Sequence, residues 1–216
     1  MKKQRSDAQK TRLRLLEAAC EVFAKKGFHD ATHEDICGKA MANTAAINYH
    51  FGSKDNLYIE AWKYSFERSI SKYPPGGGVP SSETAEKRLR GAVLSILQRI
   101  ADPEAHEIEI LHKEMVDPSG LLNEVITEAI EPMNNSFKSL LHELIGEGAS
   151  QQEMVFLTMS IMGLCFAPMQ HLRSSDESHG IPRPDFLPLD LGVEKLADYI
   201  TRFSIGGIRS LRETSE

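Results

Sequence analysis

At 216 residues, with 41% apolar side chains and a formal net charge of −6, the chain carries enough apolar material for one sizeable core or two small ones, which excludes a disordered polymer. It contains no run of about 18 apolar residues, and its start, MKKQRSDAQK, lacks the apolar stretch of a secretory signal, so a cytoplasmic protein with no membrane partner is expected. Cys20, Cys37 and Cys165 show no paired spacing, which excludes a disulfide framework and a zinc site and leaves them as small core residues.

The charge is unevenly distributed. Residues 1–60 carry ten Lys/Arg against eight Asp/Glu, whereas residues 61–216 carry fifteen against twenty-three. Lys2, Lys3, Arg5, Lys10, Arg12 and Arg14 crowd the first fourteen positions. Such a basic arm beside a groove-reading motif is a phosphate clamp.

A first helix is expected from about Asp7 to Lys26, with Leu16, Ala19, Cys20 and Phe23 at helical spacing and Gly27 as terminator. Thr32 reads as an N-cap, followed by His33, Glu34 and Asp35, where negative charge suits the helix dipole. Ile36, Cys37 and Ala40 form the inward face of that short helix, and Asn43 reads as the next N-cap. On the helix from Thr44 to Phe51, at about 100° per residue, Ile47 and Phe51 share one side. Thr44 and Asn48 lie at its edge, and Ala45, Ala46, Tyr49 and His50 occupy the other side. A face of two small and two flat, polar-tipped side chains can approach a surface closely. It suits a DNA major groove, with Thr44 and Asn48 in reach of base edges or phosphates and Tyr49 and His50 in reach of backbone oxygens. Ser53 caps the following helix, whose first turn and Lys54 can hold another phosphate.

The series Thr32, Asp35-Ile36-Cys37, Ala40, Ala42 to Phe51 and Ser53-Lys54-Asp55-Asn56-Leu57 resembles the helix-turn-helix of TetR-type transcriptional repressors over roughly residues 10 to 60. The resemblance implies phosphate contacts by Tyr49, His50 and Lys54 and base reading by Thr44, Ala45 and Ala46. Thr32, His33 and Asn48 complete the expected DNA-facing set. Two positions depart from the family pattern: Met41 stands where a turn glycine is usual, and Ala45 replaces another frequent glycine. A non-glycine at φ > 0 is tolerated but uncommon, so a strained or reshaped turn is expected at Met41.

A fourth helix is expected from Asp55 to about Lys72, with Leu57, Ala61, Tyr64 and Arg68 on one stripe and Trp62 beside it. Tyr73 to Pro80, with its triple glycine, reads as a flexible linker, because no Gly-Lys-Ser/Thr follows to make a phosphate cradle. The remainder reads as helices near 83–101, 103–115, 120–146, 150–172 and 191–213. Pro103 suits a first helical turn, Pro132 should kink or split its helix, and 174–190 reads as a loop or lid. The fold class is thus all-α, about nine helices: a DNA-binding head at 1–55 with its basic arm, and a regulatory and dimerisation bundle at 56–216.

Residues 154–169, MVFLTMSIMGLCFAPM, are apolar on every side apart from Thr158 and Ser160. Such a helix must be covered on every side, and it is too short to span a bilayer, so protein covers it. The last helix offers apolar residues at the same spacing followed by Gly206-Gly207. A two-fold seam is expected through Leu157, Ile161, Leu164, Pro168, Leu196, Ile200, Phe203 and Gly207, making a four-helix bundle between two chains. A homodimer presents two recognition helices and calls for a pseudo-palindromic operator. Lys113-Glu114-Met115, Asp117-Pro118, Glu131-Pro132 and Thr201-Arg202-Phe203-Ser204 resemble the CecR-like subgroup, which implies a regulator responsive to a small molecule. Met115, Phe137, Leu141, Met162, Phe166 and Met169 are its expected lining.

Two other classes compete. Glu109-Ile110-Leu111-His112 has the spacing of a di-iron bundle ligand pair, but no second copy occurs, and Ser69-Ile70-Ser71-Lys72 lacks its companion motifs. No catalytic residue, metal or cofactor is expected. A ligand-independent protein adaptor is the third reading, separable by the salt dependence of binding.

Overall fold

The structure is a computed structural model; it describes residues 2–146, 149–168 and 192–214, with side chains from residue 7 to residue 212. The described residues form nine helices and no strand: α1 (Lys2–Asp30), α2 (His33–Ala40), α3 (Ala45–Phe51), α4 (Lys54–Lys72), α5 (Ala85–Ala101), α6 (His106–Val116), α7 (Asn123–Ile145), α8 (Gln151–Phe166) and α9 (Val193–Thr214). By packing they fall into two compact units, Met1–Ser71 with Glu104–Ala129, and Lys72–Pro103 with Ile130–Glu216. Packing therefore groups α4 and α6 with the helix-turn-helix, where the chain order alone places a boundary at residue 55. The expected loop 174–190, the end of the 150–172 helix and Met169 lie outside the described residues.

In the first unit, α1 is interrupted at Gly27, whose φ of 79° and ψ of 179° no helix contains. Leu16, Ala19, Cys20 and Phe23 are buried as their spacing requires. α4 turns inward Leu57 and Ala61 of the expected stripe, but not Tyr64 and Arg68. Leu57, Tyr58, Ala61, Trp62, Ser65, Phe66 and Ser69 are buried. Tyr64 instead donates to Glu17 Oε1 at 3.2 Å, and exposed Arg68 pairs with Glu104 at 3.1 Å. The amphipathic Tyr64 and Arg68 side chains lie along the rim because their polar ends find carboxylates there. Trp62 is buried and stacked on Phe66 at 5.0 Å.

Two carboxylates of α6 are buried in this unit. Glu107 Oε2 accepts from the Ser65 hydroxyl at 3.0 Å, and Glu114 is enclosed by donors described below. Burying such groups is tolerated because each is hydrogen-bonded.

In the second unit, Leu89, Val93, Leu97, Leu141, Ile161 and Ile200 are among the residues that build the core, drawn from α5, α7, α8 and α9. Arg90 of α5 ties α9 by bonding Asp198 at 2.6 Å and Glu194 at 3.2 Å, and Arg209 bonds Glu86 at 2.8 Å. The glycine stretch does not hang free as a linker. A Cβ at Gly91 would lie 2.5 Å from the Gly76 carbonyl oxygen, and one at Gly77 would lie 2.4 Å from the Gly91 oxygen, so the two backbones touch where only glycine fits. Ser95 Oγ donates to the Tyr73 carbonyl at 3.0 Å and anchors the start of the same strap.

Pro103 lies outside α6, which begins three residues later. A residue preceding proline is pushed out of the helical region, and Asp102 at φ −78°, ψ 115° ends α5 accordingly. Pro132 does not split α7, which runs through it from Asn123 to Ile145. α8 opens on a complete capping box in which Ser150 and Glu153 satisfy each other's amides.

Cys20, Cys37 and Cys165 are free and buried, as core residues should be. Burial pushes the Cys20 and Cys165 thiols up to about 12, which removes their nucleophilic form at neutral pH.

Candidate nucleic-acid interface

The helix-turn-helix is built by caps at each boundary. Thr32 Oγ1 accepts from the Asp35 amide at 3.1 Å, while Asp35 Oδ2 accepts from the Thr32 amide at 3.0 Å. Lys26 donates to Asp35 Oδ1 at 2.7 Å. Those hydrogen bonds, from Lys26 first and then from Thr32, hold the Asp35 carboxyl down at about 2. α2 ends at Met41 in the left-handed region, φ 50° and ψ 48°, with the Ala42 amide returning to the Cys37 carbonyl at 2.9 Å. Met41 thus takes the conformation usual for glycine, as its place in the turn requires. Asn43 Oδ1 accepts from the Ala45 amide at 2.8 Å and starts α3.

α3 buries Ile47 and Phe51 and no other residue. Thr44, Ala45, Asn48 and Tyr49 are exposed, and Ala46 and His50 are half-buried. Tyr49 stands 80% exposed beside the His50 ring, edge to face at 4.8 Å. None of the expected α3 residues is buried.

α4 follows at once. Ser53 Oγ accepts from the Asn56 amide at 3.1 Å, and Asn56 Nδ2 donates to the Phe51 carbonyl at 3.1 Å, which locks the start of α4 to the end of α3. Lys54 Nζ lies 4.5 Å from the centre of the Phe28 ring. Its pKa lies below the usual lysine value because burial outweighs the pull of Asp55 and Asp30. An aromatic face steadies the ammonium without consuming its donors as a carboxylate would.

The structure divides the other expected residues. The Thr32 hydroxyl is engaged with Asp35, both as acceptor and as donor at 2.7 Å, so it serves the cap. His33 is half-buried, and its Nε2 has no partner among the described residues. Arg12 is no free arm residue: it ion-pairs with Glu60 and lies 4.8 Å over the Phe51 ring, bracing α1 against α3 and α4. Lys10 and Arg14 stay exposed, and the side chains of Lys2, Lys3 and Arg5 lie outside the described residues. Phe28 is not legible in the sequence as part of this site. Nothing in its spacing shows that it underlies Lys54.

Two family matches divide the chain. Residues 15–61 match the family described as "Bacterial regulatory proteins, tetR family", and residues 85–208 match "HTH-type transcriptional dual regulator CecR, C-terminal domain". The chain belongs to the TetR family, with a C-terminal domain of the CecR type. It is similar to the HTH-type transcriptional regulator SrpR of Pseudomonas putida, 26% identical over 155 residues, covering 71% of this chain and 68% of that one. It is also similar to the HTH-type transcriptional dual regulator CecR of Shigella flexneri, 24% identical over 170 residues, 72% of this chain and 74% of the relative. A TetR-like transcriptional regulator from Rhodococcus sp. RHA1 shares the fold with a TM-score of 0.68 at 18% identity, covering 92% and 96% of the two chains. The TetR-family protein is a DNA-binding transcriptional regulator and not an enzyme. No helix among the described residues is long and apolar enough to cross a membrane.

Proposed function

We propose that this TetR-family regulator is a homodimeric repressor that binds a pseudo-palindromic operator and leaves it when a small molecule binds the C-terminal part. DNA contact falls to residues 1–55 and regulation to residues 56–216. The observation that carries the reading is the α3 surface, where Ile47 and Phe51 alone are buried, Thr44, Ala45, Asn48 and Tyr49 are exposed and Ala46 and His50 are half-buried. Thr44, Ala45, Ala46 and Asn48 read base edges in the major groove, and Tyr49, His50 and Lys54 hold phosphates, with His33 at the flank.

The two-fold seam can use only part of the face the sequence pattern indicates. Leu157, Ile161 and Ile200 are buried in the chain's own core, and Leu164, Pro168 and Leu196 are half-buried. Of the expected seam, Phe203 and Gly207 remain open. The open apolar arc of α8 is Val155, Phe156, Met159 and Phe166, with Phe156 57% and Met159 65% exposed. That of α9 is Tyr199 and Phe203, stacked at 6.4 Å, with Gly206 and Gly207 on the same side. An apolar surface of this kind needs covering, and a second copy of the chain supplies identical helices.

Of the expected inducer lining, Phe137 and Leu141 are buried in the second unit and Met162 is half-buried, whereas Phe166 of that unit is 40% exposed; Met115, in the first unit, is 74% exposed. Apolar residues at a helix end or on an all-apolar helix show by pattern that they need cover, not which neighbour gives it.

Selection of bound duplexes from random DNA, followed by titration with salt, tests the reading. One palindrome with two half-sites, and affinity falling steeply with salt, is the expected result. Recovery of no common sequence, or a flat salt response, would overturn it in favour of a protein adaptor.

A further inference from the structure

A heavily bonded side chain of the first unit lies far along the chain from α3. Glu114, at the end of α6, is buried and accepts from four donor groups. The Ser119 amide and the Gly120 amide donate to Oε1 at 3.0 and 2.9 Å, the Ser119 hydroxyl shares both oxygens, and the Tyr58 hydroxyl donates to Oε2 at 2.9 Å. Tyr58 is wholly buried on α4, and its ring meets Phe23 edge-on at 4.7 Å and Phe28 at 5.0 Å. Phe28 carries the Lys54 ammonium on its face. Lys54 and Tyr58 stand one turn apart on the same side of α4. An unbroken series of contacts therefore links the 119–120 turn to Lys54.

We infer that Tyr58, anchored by Glu114, is a positioning residue for DNA binding: it fixes the Phe28 ring that holds Lys54 ready for a phosphate. This rests on the assignment of Lys54 as a phosphate contact. Tyr58 touches no DNA itself. A phenol hydroxyl bound to a carboxylate that three other donors immobilise has one allowed setting, so the ring beneath it is held in one orientation too. Phe28 is packed against that ring, and a lysine resting on a fixed aromatic face has its donors pre-aimed.

A double-mutant cycle on the full chain tests it, with a duplex recovered by the selection and the slope of log affinity against log salt as readout. Lys54→Ala should flatten the slope by about 0.9 for each phosphate no longer neutralised. Tyr58→Phe and Glu114→Gln should flatten it by a similar amount, and Lys54→Ala in the Tyr58→Phe background should add little. If Lys54→Ala flattens the slope but Tyr58→Phe lowers only the unfolding midpoint, the hydroxyl is structural and the inference fails alone. If Lys54→Ala itself leaves the slope unchanged, the phosphate assignment fails first and takes the inference with it. Phe28→Leu leaves the buried hydrogen bonds intact and keeps the test open should the other variants not fold; a slope equal to the parent's overturns the inference.

Discussion

α3 and α8 are both poor in charge, yet one displays its open face in the sequence and the other hides it. In α3 two large apolar residues stand four apart, so burying Ile47 and Phe51 leaves a single orientation and the exposed arc follows. In α8 nearly every position from Met154 onward is apolar, so any arc satisfies the core equally well. The structure buries Met154, Leu157, Ile161 and Cys165 and leaves Phe156 and Met159 outside. Amphipathicity carries orientation, whereas uniform hydrophobicity carries only the need to be covered.

Substitutions on the two sides of α8 should have the largest and most opposed effects. Leu157→Ala should destabilise the fold by about 2–5 kcal/mol, as a cavity in a packed core does, measured by denaturant unfolding. Phe156→Asp should keep the helical content of the chain while converting the proposed dimer to monomer in sedimentation and weakening DNA binding. If Phe156→Asp unfolds the chain and Leu157→Ala only separates the subunits, the two faces are exchanged. Next in size, Gly91→Ala must push the strap off α5 and should cost about 1–3 kcal/mol, read from the same midpoint. A loss near zero would mean that the strap swings free.

Smaller effects belong to the turns that set α3 in place. Thr32→Ala removes half of the α2 capping box and should cost about 1 kcal/mol. Asp35 is held at about 2 against an ordinary 3.8, so its contribution is fully present above about pH 4 and is lost as pH falls through 2. The stability gap between parent and Thr32→Ala should therefore narrow over that interval in acid titrations followed by circular dichroism. Met41→Gly should stabilise by at most about 1 kcal/mol, because glycine takes the left-handed turn without the Cβ penalty. A loss on that substitution would show that the turn is not strained.

Much of the head is legible in the sequence. Thr32, Asp35, Asn43 and Ser53 announce helix starts through short polar side chains that satisfy free amides, a purely local chemistry. Arg12 is illegible for the opposite reason: a basic residue near a phosphate-binding motif looks the same whether it faces DNA or, as here, Glu60 and Phe51. Tyr64 and Arg68 pass for core positions on α4 because helical spacing cannot separate a buried stripe from its rim when the side chains are amphipathic.

By itself the sequence determined the helical class, the helix-turn-helix, its caps, the unusual turn at Met41 and the arc that α3 presents, since each depends on neighbours within about one or two turns. Tertiary structure alone decided which side of α8 and α9 is open, that the glycine strap lies against Gly91, and that Glu114 meets Tyr58 across fifty-six residues. Those outcomes depend on what lies opposite in space, and no local pattern carries that.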